Sequence, residues 1–135
     1  MRIRICAVGR MRAGPERLLV ADYLARFDRA GRPLGLGPAE VTEIDARQGG
    51  GPAAEAPLLL RAVPEDAGVV ALDERGRALD SPSFAQLLAA ARDRGRPALA
   101  FVIGGADGLD PSVRDRADAV VSLGPMVWPH MLVRA

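Results

Sequence analysis

Side chains that could carry out nucleophilic or metal chemistry are scarce in this sequence. It contains one histidine, His130, and one cysteine, Cys6, and neither has a partner at the spacing of a catalytic nucleophile or a metal site. Cys6 lies within an apolar run, residues 3–8 (IRICAV), which predicts a small core residue. We therefore expect no metal, and we expect the polypeptide backbone to form most of any binding site.

Glycine-bearing turns follow two apolar runs in the C-terminal part of the chain. Residues 99–103 (LAFVI) lead into residues 104–108 (GGADG), and a second run leads into residues 123–130 (LGPMVWPH). Ligands of open parallel sheets bind outside the carboxyl ends of the strands, so two such turns at one edge predict a single site. Glycine lets the main chain approach a ligand closely, and free N–H and C=O groups can bind an adenine edge or a ribose. Such a site suits a cofactor that carries its own reactive group.

Other glycine patterns exclude the common nucleotide-binding motifs. Residues 9–14 (GRMRAG) follow the first predicted strand and lack the G-x-G-x-x-G fingerprint of dinucleotide-binding folds. Residues 48–52 (QGGGP) contain three glycines but no Lys-Ser or Lys-Thr pair, so they predict a flexible connector and exclude a P-loop. The sequence also lacks a G-x-S-x-G motif and an H-E-x-x-H motif.

Strands and helices are predicted to alternate along the chain. Apolar runs predict strands at residues 3–8, 40–44, 69–72, 99–103 and 119–123. Helical spacing and start signals predict helices at about 15–31, 53–63, 82–94 and 111–116, the third with Ser81 as its N-cap. Residues 73–77 (DERGR) predict a turn after the third strand. The expected fold is a single-domain α/β structure, a parallel five-stranded sheet with helices on both faces.

Composition and charge narrow the classes of protein further. The chain has 135 residues, 49% of them hydrophobic, which is enough to bury a core in one domain. All 18 basic residues are arginine and the net charge is +1, which excludes a uniformly basic nucleic-acid binder. No apolar run approaches the roughly 20 residues of a membrane span, and the N-terminus has no signal-peptide pattern. We expect a cytoplasmic protein without membrane association.

Five segments, in order along the whole chain, resemble those of the ribosomal RNA large-subunit methyltransferase H family. They are residues 7–12 (AVGRMR), 72–77 (LDERGR), 83–85 (SFA), 101–108 (FVIGGADG) and 129–134 (PHMLVR). The combination of I-G-G-x-x-G with P-H-x-L-V-R at this separation is specific, although neither motif is specific alone. The family is a small member of the SPOUT class of trefoil-knotted, S-adenosylmethionine-dependent enzymes.

The resemblance implies methyl transfer from S-adenosylmethionine to N3 of a pseudouridine in a hairpin loop of 23S rRNA, on the assembled ribosome. It also implies a homodimer and one SPOUT-like domain over residues 1–135, with the knot region at about 99–135. The cofactor contacts implied by position are Leu72, Gly105, Gly124, Pro125, Met126, Val127, Trp128 and Pro129. The candidate RNA-binding residues are Arg10, Arg12, His130 and Arg134.

The family pattern continues beyond the P-H-x-L-V-R motif with a helix and a tail rich in His, Tyr and Arg, whereas this sequence ends at Ala135. We expect that helix to complete the knot, to cover the cofactor loop and to form much of the dimer interface. Without it, an apolar sheet face or the knot loop would be uncovered. The alternative function is therefore a non-catalytic α/β module that binds S-adenosylmethionine or a nucleotide.

Several of these residues also have a purely structural interpretation. Asp107 and Asp110 are suited to cap the helix that follows them, and Trp128 could be a hydrophobic anchor instead of a wall of the cofactor site. The glycines at 104, 105 and 108 could form an ordinary turn between a strand and a helix. His130 could be a buried hydrogen-bonding residue.

Overall fold

A five-stranded parallel sheet forms the centre of the protein in a computed structural model that describes residues 1–45 and 49–135. The strands are β1 (Arg2–Val8), β2 (Ala39–Ile44), β3 (Gly68–Ala78), β4 (Ala98–Ile103) and β5 (Ala119–Ser122). The helices are α1 (Pro15–Gly31), α2 (Gly51–Ala62), α3 (Ser81–Asp93) and α4 (Pro111–Arg116), with short 3-10 turns at Arg32–Leu34 and Leu132–Arg134. The strand order is β2-β1-β4-β3-β5, and each adjacent pair is parallel. The predicted α/β fold class is confirmed.

The connector predicted at residues 48–52 is only partly within the described residues. Gln48 lies outside them, and Gly51 and Pro52 already belong to the first turn of α2. Proline is well suited to that position because the first amides of a helix have no intrahelical partner. Among the described residues, no helix combines the length and the apolar character needed to cross a bilayer.

The central strand, β4, is buried along its whole length and is paired on both edges. It lies between β1 and β3, and its residues alternate between the two apolar layers of the domain. An unbroken apolar run is typical of a parallel strand that is covered on both faces, as predicted for this segment.

One face of the sheet is covered by α1 and α3. Leu24 and Phe27 of α1 and the apolar face of α3 pack around Phe101 of β4. The rings of Phe84 and Phe101 are 5.8 Å apart at their centroids, in a tilted arrangement that aromatic pairs favour. Phe84, Leu87, Leu88 and Ala91 of α3 all pack in this layer, so the buried face predicted for this helix is confirmed.

The opposite face is covered by α2 and α4. Leu59 of α2 and Val113 of α4 pack against Val69, Val102 and Cys6 of the sheet. Cys6 is completely buried, as predicted, and its Sγ atom donates to the carbonyl of Ala62 at 3.6 Å. Burial raises the pKa of the Cys6 thiol to about 11, although the nearby Arg4 guanidinium opposes part of that shift.

Aspartate residues begin two of the helices. Asp80 is the N-cap of α3, because its Oδ1 atom accepts from the amide of Ser83 at 2.8 Å. The prediction of Ser81 as N-cap was wrong by one residue. Ser81 is already helical, and the carboxylate of Asp80 accepts from the otherwise unpaired amide of Ser83. Asp110 caps α4 by accepting from the amide of Ser112 at 3.0 Å, as predicted, whereas Asp107 lies in the preceding turn.

The third strand is longer than predicted, and the turn predicted at residues 73–77 was wrong. Leu72 and Arg77 both pair with Val121 of β5, so residues 73–76 bulge outward before the strand rejoins its neighbour. Gly76 makes this return possible. A Cβ atom there would lie 2.7 Å from the backbone of Val120 and Val121, where no side chain fits.

We expect Gly76→Ala to lower the free energy of unfolding by about 2 kcal/mol, because the added methyl group must displace the β5 backbone. Gly14→Ala is the matched control, since Gly14 is extended (φ 164°) and its Cβ would meet only the flexible Glu16 side chain, at 3.6 Å. Urea unfolding of the two variants measures the difference. Equal stability of both variants would contradict the close approach at Gly76.

We also expect stability to decline as the pH rises from about 9 to 11, because the Cys6 thiol ionises more readily in the unfolded chain than in the core. The pKa of the Cys6 thiol is higher in the folded protein than in the unfolded chain. The stability that the neutral thiol contributes is therefore complete below the unfolded pKa and is lost as the pH rises toward the folded pKa. Cys6→Ala should abolish that part of the pH dependence. The measurement is urea unfolding at a series of pH values, and identical profiles for the two proteins would contradict it.

Candidate functional site

A cleft of about 320 Å³ opens at the carboxyl edge of the sheet, where β3, β4 and β5 end. Its walls are residues 72–75 at the bulge of β3, residues 104–108 after β4, and the loop after β5 together with His130 and Val133. This volume lies at the lower end of the roughly 300–1,000 Å³ of small-molecule sites. The two glycine turns predicted to share one site do line the same cleft.

The turn after β4 is built from a close approach of its own backbone. The amide of Gly108 donates to the carbonyl of Gly105 at 3.1 Å, and a Cβ atom on Gly104 would overlap the carbonyl of Gly108. Gly108 has a φ of +82°, in the left-handed region that glycine adopts without strain. Glycine is therefore required here for the shape of the turn, and the turn presents main chain to the cleft.

The loop after β5 is anchored at one end and largely exposed beyond it. The hydroxyl of Ser122 accepts from the amide of Gly124 at 3.1 Å and donates to its carbonyl at 3.2 Å, and Gly124 has a φ of +108°. Beyond this anchor, Met126, Val127 and Trp128 are 68%, 89% and 48% exposed, respectively. Apolar side chains this exposed are available to a ligand or a partner.

Most of the residues expected to contact a cofactor lie together on the cleft. The structure brings six into its lining, namely Leu72, Gly105, Gly124, Met126, Val127 and Trp128. Pro125 and Pro129 are exposed members of the same loop, outside the lining. Their role in binding stays a prediction.

The candidate RNA-binding residues separate into three environments. His130 lines the cleft, and its Nε2 atom lies beside Gly9 at the end of β1. Arg10 and Arg12 are exposed on either side of the buried Met11, outside the cleft lining.

Arg134 is buried and has a structural role. Its guanidinium donates to the carbonyls of Val8 and Gly9, both at 2.7 Å, and to Glu43 Oε1 at 3.0 Å. Burial lowers the pKa of Arg134, and the carboxylate of Glu43 opposes that shift. The side chain is only 1% exposed, so the expectation that it contacts an RNA phosphate is corrected: the guanidinium already binds the strand ends.

A second charged pair was not singled out from the sequence. The side chain of Asp73 is 3% exposed at the cleft, and its carboxylate accepts from Arg114 Nη1 at 3.3 Å and from the amide of Arg75 at 2.8 Å. The position of Asp73 directly after the buried run 69–72 was the available signal. Among the described residues, no three His, Cys, Asp or Glu side chains are grouped as metal ligands.

An apolar groove of about 550 Å³ lies beside the cleft, on the face of the sheet covered by α1 and α3. Tyr23 and Phe27 of α1 and Phe84 of α3 line it, together with residues 132–135. Leu72 and Trp128 line both the groove and the cleft, so the two cavities share a wall. The side chains that line the groove are mostly apolar.

These features define an α/β domain with a cleft, lined in part by glycine main chain, at the carboxyl edge of a parallel sheet. Residues 1–135 match the model of a family described as "Predicted SPOUT methyltransferase". The chain therefore belongs to the SPOUT methyltransferase family and is a methyltransferase.

Several relatives share a more specific name, Ribosomal RNA large subunit methyltransferase H. The chain is 62% identical over 134 residues to the protein of Dinoroseobacter shibae, 63% to that of Roseobacter denitrificans and 60% to that of Ruegeria sp. (strain TM1040). Each match covers 99% of this chain and 86% of the relative. The family resemblance in the sequence motifs is confirmed.

We expect Arg134→Met to lower the free energy of unfolding by about 3 kcal/mol, because the carbonyls of Val8 and Gly9 lose a buried, charged donor. Arg116→Met is the control, since Arg116 is an exposed cation in the last turn of α4 and should change stability by less than about 0.5 kcal/mol. Urea unfolding reports both values. A similar small change in the two variants would argue against the structural role of Arg134.

Proposed function

We propose that this methyltransferase transfers a methyl group from S-adenosylmethionine to N3 of a pseudouridine in 23S rRNA of the large ribosomal subunit. The observation that carries the proposal is the cleft, because segments 72–77, 101–108 and 129–134, which resemble the family, all contribute to its walls. The names of the relatives, which specify the large-subunit ribosomal RNA, support the same substrate class.

The cleft suits S-adenosylmethionine in shape and charge. Main chain at Gly104 and Gly105 offers hydrogen-bonding groups without side-chain obstruction, and Leu72 and Trp128 offer apolar contact. Arg114 pairs with Asp73, and the two other carboxylates of the lining, Glu74 and Asp107, outnumber Arg75, which favours a ligand with a cationic sulfonium. Leu72, Gly105 and the loop residues 124–129 are the proposed cofactor contacts.

Catalysis in this proposal depends mainly on positioning. The bound cofactor supplies a methyl group that its sulfonium has already activated. The chain holds that group in line with N3 of the base, and such alignment can supply on the order of 7–11 kcal/mol of the barrier. The turn after β4 is closed by the hydrogen bond from the amide of Gly108 to the carbonyl of Gly105. This bond holds the shape of the turn, so the turn can support the positioned cofactor.

The imide N3 must lose its proton before it accepts the methyl group. The ionisable side chains that line the cleft include Asp73, whose carboxylate is already bound by Arg114 and by the amide of Arg75. This leaves Glu74, Asp107 and His130 as the lining side chains able to accept the proton.

Arg10 and Arg12 are the proposed contacts to the RNA backbone. Both are exposed in the turn that follows β1, and the amide of Met11 between them donates to Glu43 Oε1 at 2.9 Å, which holds the turn. Arginine side chains on an ordered turn suit phosphate recognition. A ribosomal substrate also implies that the enzyme is located in the cytoplasm.

We propose that a second copy of the chain is a further partner. The loop after β5 exposes Met126, Val127 and Trp128 next to the apolar groove, and contiguous apolar surface of this kind is typical of protein interfaces. The knot region proposed for residues 99–135 contains this loop, so the same segment would serve the cofactor and the dimer.

Calorimetric titration of S-adenosylhomocysteine into the Gly124→Ala variant tests the cofactor site. Gly124 needs a φ of +108° to turn the loop into the cleft, and an alanine would redirect the loop, so we expect about tenfold weaker binding. Gly95→Ala is the matched control: Gly95 also has a positive φ, at +76°, and neither glycine has a described atom within 4 Å of an added Cβ. Both variants should lose about 1 kcal/mol of stability, but only Gly124→Ala should lose affinity.

Methyl incorporation into ribosomes that lack the modification separates the enzyme from the alternative, a non-catalytic binding module. Labelled methyl from S-adenosylmethionine should appear at one pseudouridine of 23S rRNA. Binding without incorporation would favour the module, and no binding of S-adenosylhomocysteine at millimolar concentration would exclude both.

A further inference from the structure

Arg114 joins two walls of the cleft. Its Nη1 atom donates to the carbonyl of Leu109 at 2.8 Å and to Asp73 Oδ2 at 3.3 Å. Leu109 directly follows the glycine turn, residues 104–108, and Asp73 directly follows Leu72 on β3. One side chain of α4 thus connects the turn after β4 to the bulge of β3.

The contact is partly shielded from water, which strengthens it. The side chain of Asp73 is 3% exposed and that of Arg114 is 20% exposed, so their attraction is screened less than that of a surface pair. A carboxylate this buried needs hydrogen-bond donors, and Arg114 and the amide of Arg75 supply them. Without a charge at position 114, Asp73 keeps only the amide of Arg75 and, at 3.6 Å, the guanidinium of Arg75, so we expect the carboxylate to be held less firmly at the cleft wall.

We propose that Arg114 is a positioning residue that holds the glycine turn at a fixed distance from Leu72, and so determines how tightly the cleft binds its nucleoside cofactor. This inference rests on the proposed function, because it assigns the cofactor to this cleft. Arg114 is outside the cleft lining, so it acts through Asp73 and Leu109 and not by touching the ligand.

The geometry makes a specific demand on the side chain at position 114. Both hydrogen bonds come from the single nitrogen Nη1 of Arg114. A replacement side chain therefore needs one charged nitrogen with two N–H groups free to donate. A lysine ammonium has three donors on one nitrogen and can meet this demand, whereas a glutamine amide has no charge to hold Asp73. Arg114→Lys should therefore retain the function of the contact, and Arg114→Gln should lose it.

The test is calorimetric titration of S-adenosylhomocysteine into the wild-type protein, Arg114→Lys, Arg114→Gln and Arg116→Gln. We expect about tenfold weaker binding for Arg114→Gln, a change of less than about threefold for Arg114→Lys, and no change for the exposed Arg116→Gln. Amide hydrogen exchange without ligand is measured in parallel. The amide of Gly108, which donates to Gly105, should exchange about tenfold faster in Arg114→Gln than in the other proteins.

The outcomes separate this inference from the proposed function. A wild-type protein that fails to bind the ligand would overturn the proposed cofactor site and this role with it. Wild-type binding together with unchanged affinity in Arg114→Gln would overturn only the positioning role. Weaker binding with unchanged exchange at Gly108, or equal losses in Arg114→Lys and Arg114→Gln, would also contradict it.

Discussion

The pairing of β4 with β1 on one edge and β3 on the other is the interaction on which the rest of the structure depends. Ile103, the last residue of β4, is in register with both Ala7 of β1 and Leu72 of β3. The next residues along the three strands, Gly104, Val8 and Asp73, therefore emerge side by side at one edge. A slip of one residue would move every side chain of β4 to the opposite face, and Phe101, which packs against Phe84, would then have to fit into the layer that contains Leu59 and Val113.

Two arginines tie later segments of the chain to these strand ends. Arg134 binds the carbonyls of Val8 and Gly9 with one nitrogen and Glu43 with the other, and Arg114 binds Asp73 and Leu109 with a single nitrogen. Arg134 thus joins a carboxylate to two main-chain carbonyls, and Arg114 joins a carboxylate to one. Arg134 and Arg114 thus bind groups within the fold, whereas Arg10 and Arg12 are exposed to solvent.

The elements that could be predicted from the sequence are those determined by local pattern. The apolar run of β4 and the helical spacing of Phe84 and Leu88 in α3 predicted strand, helix and buried face, because burial follows the period of each element. The two glycine turns also indicated the edge at which the cleft forms. The bulge of β3 was missed, because it depends on Gly76 meeting β5 across more than forty residues of chain. The burial of Arg134 was missed for the same reason: an arginine in a sequence is usually exposed, and only the distant carbonyl of Val8 makes burial favourable.

The contact of Arg134 with Val8 has a consequence for how the protein is made. The two residues are 126 positions apart, so the contact forms only after residues 8–134 have all left the ribosome. During synthesis, strands β1 to β4 can pair while the segment that carries His130 is still in the exit tunnel, and the cleft then lacks one wall. Since the entropy cost of closing a loop grows only with the logarithm of its length, this late closure adds little to the total cost of folding. The cleft is therefore complete only after the segment that carries His130 and Arg134 has left the ribosome.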